Sequence, residues 1–286
     1  MCDPSNRKIP VEGLRLPFTS LETSRTIGSM NAASTAPAST FYTLVAVTQL
    51  LCTIVMSIAD GGDFHSRGAR YSLATRPTCI PPFVFLTLHH KFLYPVLCHG
   101  VPFIMYAAAC NPGSMYFRLT AAIFMSMYSL AETSVTSSHR DYANLYTSWA
   151  LVLSSSTNVA AGVALGVSVL LVSGSGLSKL LVGGTSEWAH SSTLSTVLAA
   201  YNEYSLDRCG PLIPALNVEL RRKDWAVTLL SVTTLMFECI LVPLSMFMPS
   251  HVRWIMMLLS VGMHIGIGVI QSFIIGIAFL PNVGKF

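Results

Sequence analysis

Two runs near the C-terminal end constrain this chain more than anything else in it. Residues 225–248 carry a single charge, Glu238, and residues 254–280 carry none unless His264 is protonated. Each run exceeds the roughly 20 residues a helix needs to cross a bilayer, so both are read as transmembrane helices. Composition extends that reading to the whole chain. Its residues are 52% hydrophobic and only 10% charged, with a mean hydropathy of +0.58, whereas an ordinary soluble domain carries about 25% charged residues. The expected fold is all-α: a polytopic transmembrane bundle of six or seven spans with one interfacial amphipathic helix.

The runs place that bundle within residues 39–286. Residues 1–38 are polar, rich in Ser, Thr, Ala and Pro over 29–40, and are expected to be a disordered tail; no apolar stretch near Met1 resembles a signal peptide. Spans are expected at residues 41–59, 92–109 and 116–135. The His89-His90-Lys91 cluster is placed at an interface, where a long basic chain reaches headgroups, and Asn111-Pro-Gly reads as a turn. Residues 143–154 and 159–172 are each short, and read as two thin spans or as one long tilted helix. Beyond residue 182 the chain turns polar to amphipathic, and Leu194-Ser-Thr-Val-Leu-Ala-Ala-Tyr201 has the pattern of a helix lying in the interface. Basic residues flank the spans on both sides, which leaves the orientation open.

The same composition excludes several functions. The net charge is +4 and the basic residues are scattered apart from Arg221-Arg222-Lys223, so no nucleic-acid partner is expected. None of the seven cysteines forms a Cys-x-x-Cys, which leaves a zinc site or a redox dithiol unsupported; no metal is expected, and Cys79 with Cys209 is the one disulfide pairing worth considering. No internal repeat supports a transporter.

Three ionisable residues sit within or beside apolar runs, and an intramembrane titratable group is a functional-site candidate by default. His264 shares a helix face with Gly268 and Gln271, and Gly262 with Gly266 forms a small-xxx-small pair that lets a helix or a ligand approach the imidazole. Glu238 belongs to a polar stripe with Ser231, Thr234 and Ser245, above Pro243; such a carboxyl is expected to be protonated or paired with a base such as His264. Lys179 closes the run ending Ser173-Gly-Ser-Gly-Leu-Ser-Lys179-Leu. In an apolar, water-poor pocket its amine can serve as a general base; as an interface anchor it would do nothing chemical. Glu132, beside Thr133, Ser134 and Thr136, is expected to meet water.

That Lys179 run, followed by Trp188 and by Ser191 to Leu194, resembles the signature region of the HTTM (horizontally transferred transmembrane) superfamily, which includes vitamin K-dependent gamma-carboxylase. Two further blocks carry the resemblance, Met236-Phe-Glu238 and Met263-His264-Ile-Gly-Ile-Gly-Val-Ile-Gln271 with Phe273 and Phe279. The resemblance implies that Lys179, Glu238 and His264 are catalytic and that Asn144, Gln271 and Trp188 contact a cofactor, vitamin K hydroquinone or another quinone. In the carboxylase it implies a lysine that deprotonates the hydroquinone, whose oxygenation yields the base that removes a proton from a substrate Glu. It also implies a secretory membrane such as the endoplasmic reticulum. The family's Asn-His pair is here Asn144-Leu145, and the sequence ends at Phe286, directly after the last span. Both departures lead to the expectation that Glu carboxylation and the lumenal substrate domain are lacking. Two readings therefore stand: a cavity binding a quinone-like or lipid ligand, or a non-catalytic membrane subunit that assembles with another membrane or lumenal chain. Membrane lipids are partners in either.

Overall fold

A computed structural model describes residues 23–59, 81–88, 90, 92–133, 139–154, 157–203 and 209–283. The chain divides into two units, Met1–Ala33 and Ser34–Phe286, and the bundle discussed here belongs to the second. Among the described residues every regular element is helical. The order is α1 (Thr23–Ala59), α2 (Pro82–Leu88), α3 (Leu93–Cys110), α4 (Met115–Thr133), α5 (His139–Leu153), α6 (Thr157–Ala189), α7 (Ser191–Glu203), α8 (Pro214–Arg221), α9 (Asp224–Met236), a π-helical turn (Phe237–Leu241), α10 (Val242–Ser245), α11 (Ser250–Ile270), α12 (Phe273–Ala278) and α13 (Leu280–Val283).

Five segments are long and apolar enough to cross a membrane: Ala36–Ile58, Leu93–Cys110, Asn158–Leu181, Asp224–Ser245 and Ser250–Ile270. They fit a multi-pass membrane protein. The difference from the expected six or seven lies in α4 and α5. Helix α4 has 19 residues, but Arg118, Glu132 and its hydroxyl side chains lower its hydropathy. Helix α5 has only 15, about 22 Å at 1.5 Å per residue, against a hydrocarbon core of about 30 Å. Part of the expected tail, from Thr23 on, is helical within α1, and residues 1–22 lie outside the described residues, as do His89, Lys91 and Cys79.

Helices α1, α3, α4 and α5 share one apolar core around Tyr42, Val45, Leu97, Val101, Met105 and Met125, all essentially inaccessible. Alanines 108, 109, 121 and 131 are buried in the same core, where small side chains permit close helix approach in lipid. The Asn111-Pro-Gly turn joins α3 to α4, with the Asn111 amide bonded to the carbonyls of Ala107 and Ala108. Glu132 does not meet water as expected. It is buried, and the Tyr94 hydroxyl donates to its Oε1 at 2.6 Å, a partner on another helix that the hydroxyl-rich flanking sequence could not reveal.

Two further differences shape the site. Residues 159–172 do not form a thin span of their own: α6 runs for 33 residues through the Ser-Gly-Ser-Gly stretch, so Lys179 lies inside a helix and not beyond its end. Residues 254–280 are not one helix. Helix α11 stops at Ile270, Ser272 adopts an extended backbone, and its hydroxyl accepts from the Ile275 amide to start α12. The segment before α8 makes that break tolerable, since the amides of Leu212 and Ile213 bond the carbonyls of Gly268 and Val269. Asn217 then donates to the carbonyls of Leu198 and Ile270, so backbone groups released by the break find partners inside the protein.

Candidate functional site

The site begins at Pro243. Proline has no amide hydrogen, and its ring clashes with the carbonyl four residues back, that of Cys239. The helix widens just before it: the Val242 amide bonds Phe237 O, five residues back, which defines a π-helical turn. This turn holds Glu238, buried, and presents it to α6. There Lys179 Nζ lies 2.7 Å from Oε1 and 2.5 Å from Oε2 of Glu238. Of the two expected states, protonated or paired with a base, Glu238 is paired, and the base is Lys179. Lys179 Nζ also stands 5.3 Å from the centre of the Trp188 ring, within cation–π range.

The approach of α6 to the π turn depends on Gly176. A Cβ at that position would lie 2.6 Å from Cys239 Sγ and 2.8 Å from Glu238 Cβ, too close for any other residue without movement. A second tie lies one helix end away, where the Ser231 hydroxyl donates to Trp188 O. The anticipated polar stripe therefore divides. Ser231 and Glu238 reach α6, while Thr234 and Ser245 bond carbonyls of their own helix, those of Leu230 and Val242.

Across from this pair stands His264 on α11, buried, with Nδ1 2.7 Å from Ser260 O. A carbonyl oxygen only accepts, so this contact places the ring hydrogen on Nδ1. The imidazole packs against Phe279, ring centres 5.6 Å apart. Among the described residues Gly262 and Gly266 make no helix contact: a Cβ on either would meet none of them within 4 Å. The close glycine contact is made instead by Gly276 of α12, where a Cβ would come within 2.6 Å of Gly268 Cα.

One cavity of about 470 Å³ joins these elements, and Lys179, Glu238, His264, Gln271 and Trp188 all line it. Helix α7 covers it with Leu194, Val197, Leu198 and Tyr201, which gives the amphipathic stretch an inner surface to meet. The remaining wall is largely aliphatic. Asn144 is not among the lining residues; it is buried on α5, which packs between α4 and α6, and its carbonyl accepts from the Ser148 hydroxyl at 2.8 Å. Gly176, Ser231 and Phe279 are the site residues whose roles the sequence did not disclose. The Ser-Gly-Ser-Gly run was a visible signal for the first; Ser231 stood in the polar stripe and Phe279 in the last block of the resemblance, but their partners, Trp188 O and the His264 ring, lie on other segments. Among the described residues no three His, Cys, Asp or Glu side chains converge as a metal site.

Comparison with known protein families, with curated proteins and with solved structures returns no match. The residues themselves therefore carry the functional argument.

Proposed function

We propose that this is a multi-pass membrane protein of the HTTM, gamma-carboxylase-like type whose intramembrane cavity binds a quinone-like or lipid ligand, without Glu carboxylation. The observation that carries the proposal is the shared cavity. Lys179, Glu238 and His264 come from three separate helical segments and from the three blocks on which the resemblance rests, yet they line one space of about 470 Å³. That volume falls in the range of roughly 300–1,000 Å³ typical of small-molecule sites, and a mostly apolar wall with a few convergent polar groups is their usual make-up.

The residues suit a quinone-like headgroup. Trp188 and Phe279 contribute aromatic side chains, and His264 and Gln271 contribute polar ones, to the cavity wall. Bound there, such a group would supply two-electron redox chemistry; the chain's own part is to orient it and keep water away. Lys179 is closed onto Glu238 by both carboxylate oxygens, so any proton it takes up passes within the reach of that carboxyl. The absence of carboxylation is supported by Leu145 standing where the family pattern has a histidine, and by the position of Asn144 away from the cavity wall.

The test is the lipid and quinone content of the purified protein, measured by mass spectrometry, against that of Lys179→Ala. A specific ligand lost from the variant supports the reading; identical content in both opposes it. Reduced vitamin K, bicarbonate and a Glu peptide should give no labelled product, and labelled product would overturn the exclusion of carboxylation. The second reading, a non-catalytic subunit of an assembly with another membrane or lumenal chain, draws on the Lys179–Glu238 and Ser231–Trp188 ties between helices. It predicts a cavity with no specific ligand. A secretory membrane is the compartment that accompanies the first reading.

A further inference from the structure

The polar groups around the cavity specify more than its size. His264 commits Nδ1 to Ser260 O, and its ring lines the cavity, which leaves Nε2 as the ring nitrogen that can address a ligand. With the hydrogen on Nδ1, the uncharged ring offers Nε2 only as an acceptor. A hydroxyl on a bound molecule is a donor that such an acceptor can take. A polar group without a partner among the described residues, the fully buried Ser168 hydroxyl, belongs to a residue that lines the same cavity. Gly262 and Gly266 line the cavity without side chains that would narrow it, and the imidazole packs against Phe279.

Charge narrows the choice further. The cavity wall holds one lysine and one glutamate, and they face each other at 2.5 Å. An anionic headgroup would either compete with Glu238 for Lys179 or lie unpaired among Leu171, Val172, Ile267 and Ile270. Both alternatives are unfavourable, since an unpaired charge in an apolar site loses its hydration without compensation.

We propose that the cavity selects an electrically neutral lipid with a free hydroxyl group, and that this hydroxyl donates to Nε2 of His264. The inference rests on the cavity being a ligand site, and it names the chemical class of the ligand. An aliphatic lipid alcohol and a phenol-type quinol share that donor.

The test uses the full chain in lipid nanodiscs and photoreactive probes of matched length: a long-chain alcohol, an alkyl phenol, the methyl ether of each, and the fatty acid. The alcohol, the phenol or both should label the cavity. Each binding probe's ether should bind about tenfold more weakly, equivalent to about 1.4 kcal/mol, and the fatty acid at least as weakly. Stronger labelling by the alcohol or by the phenol identifies which source of hydroxyl the cavity takes, and either supports the class. In His264→Phe the difference between alcohol and ether should vanish. Ether and alcohol bound equally by the wild-type chain would overturn the hydroxyl assignment while leaving cavity binding intact. A fatty acid bound as tightly as the alcohol would overturn neutrality. Binding of no probe would overturn both this inference and the ligand-site reading beneath it.

Discussion

Separating Lys179 from Glu238 one side chain at a time should reveal how strongly the π turn is held to α6. The pair is largely removed from solvent, with 19% and 9% of the two side chains accessible, and Nζ lies within hydrogen-bond distance of both carboxylate oxygens. Removing one member of a buried pair leaves the other without compensation and costs about 3–5 kcal/mol in soluble proteins. Lys179 borders a cavity and keeps some access, so the lower end applies: about 3 kcal/mol for Lys179→Met and a similar loss for Glu238→Leu. The double variant has no orphaned charge. It should lose far less than the sum of about 6 kcal/mol, with a coupling of at least about 1.5 kcal/mol. Unfolding in mixed micelles, followed by tryptophan fluorescence, measures all four corners of the cycle. Additivity within about 0.5 kcal/mol would refute the argument, because it would mean the two groups do not depend on each other.

Two further substitutions probe the packing that places the site. Gly176→Ala should cost about 1–3 kcal/mol by overpacking, since its methyl would fall 2.6 Å from Cys239 Sγ; a thermal midpoint equal to wild type would show that α6 does not approach the π turn this closely. Tyr94→Phe removes the hydroxyl that donates to Glu132 and should cost about 1–3 kcal/mol for the buried acceptor left behind, read by the same unfolding assay. No change would place Glu132 in contact with water.

Much of the bundle was legible because lipid imposes length and polarity directly on sequence. The charge-poor segments around residues 41–59, 92–109 and 225–248 fall on helices, and the Asn111-Pro-Gly turn needs no long-range information. What escaped depends on partners distant in the chain. The break at Gln271 looked continuous because Ile, Val and Phe flank it; it is supported by the amides of Leu212 and Ile213 and the Asn217 side chain, which bond the liberated carbonyls, and by Gly210 O, which accepts from the Phe273 amide. Lys179 looked like the residue after a span because Gly and Ser around it are poor helix formers in water, yet α6 continues to Ala189. Glu132 had an exposed appearance from its neighbours alone, and Tyr94, 38 residues away, reverses it. The candidate site was partly readable for a related reason: ionisable groups are so unfavourable in apolar runs that their presence marks a polar interior. Their convergence is a tertiary fact, and Asn144, buried on α5, shows that a buried polar residue need not join the same cavity.

The most direct measurement fills the cavity from inside. A side chain added at Gly266 meets none of the described residues within 4 Å of its Cβ, and Gly266 lines the cavity. Gly266→Phe should therefore keep the thermal stability of the ligand-free protein while losing the small molecule that copurifies with wild type, as quantified by mass spectrometry. The same molecule retained at the same stoichiometry by a folded Gly266→Phe protein would contradict the claim that Lys179, Glu238 and His264 surround a ligand site.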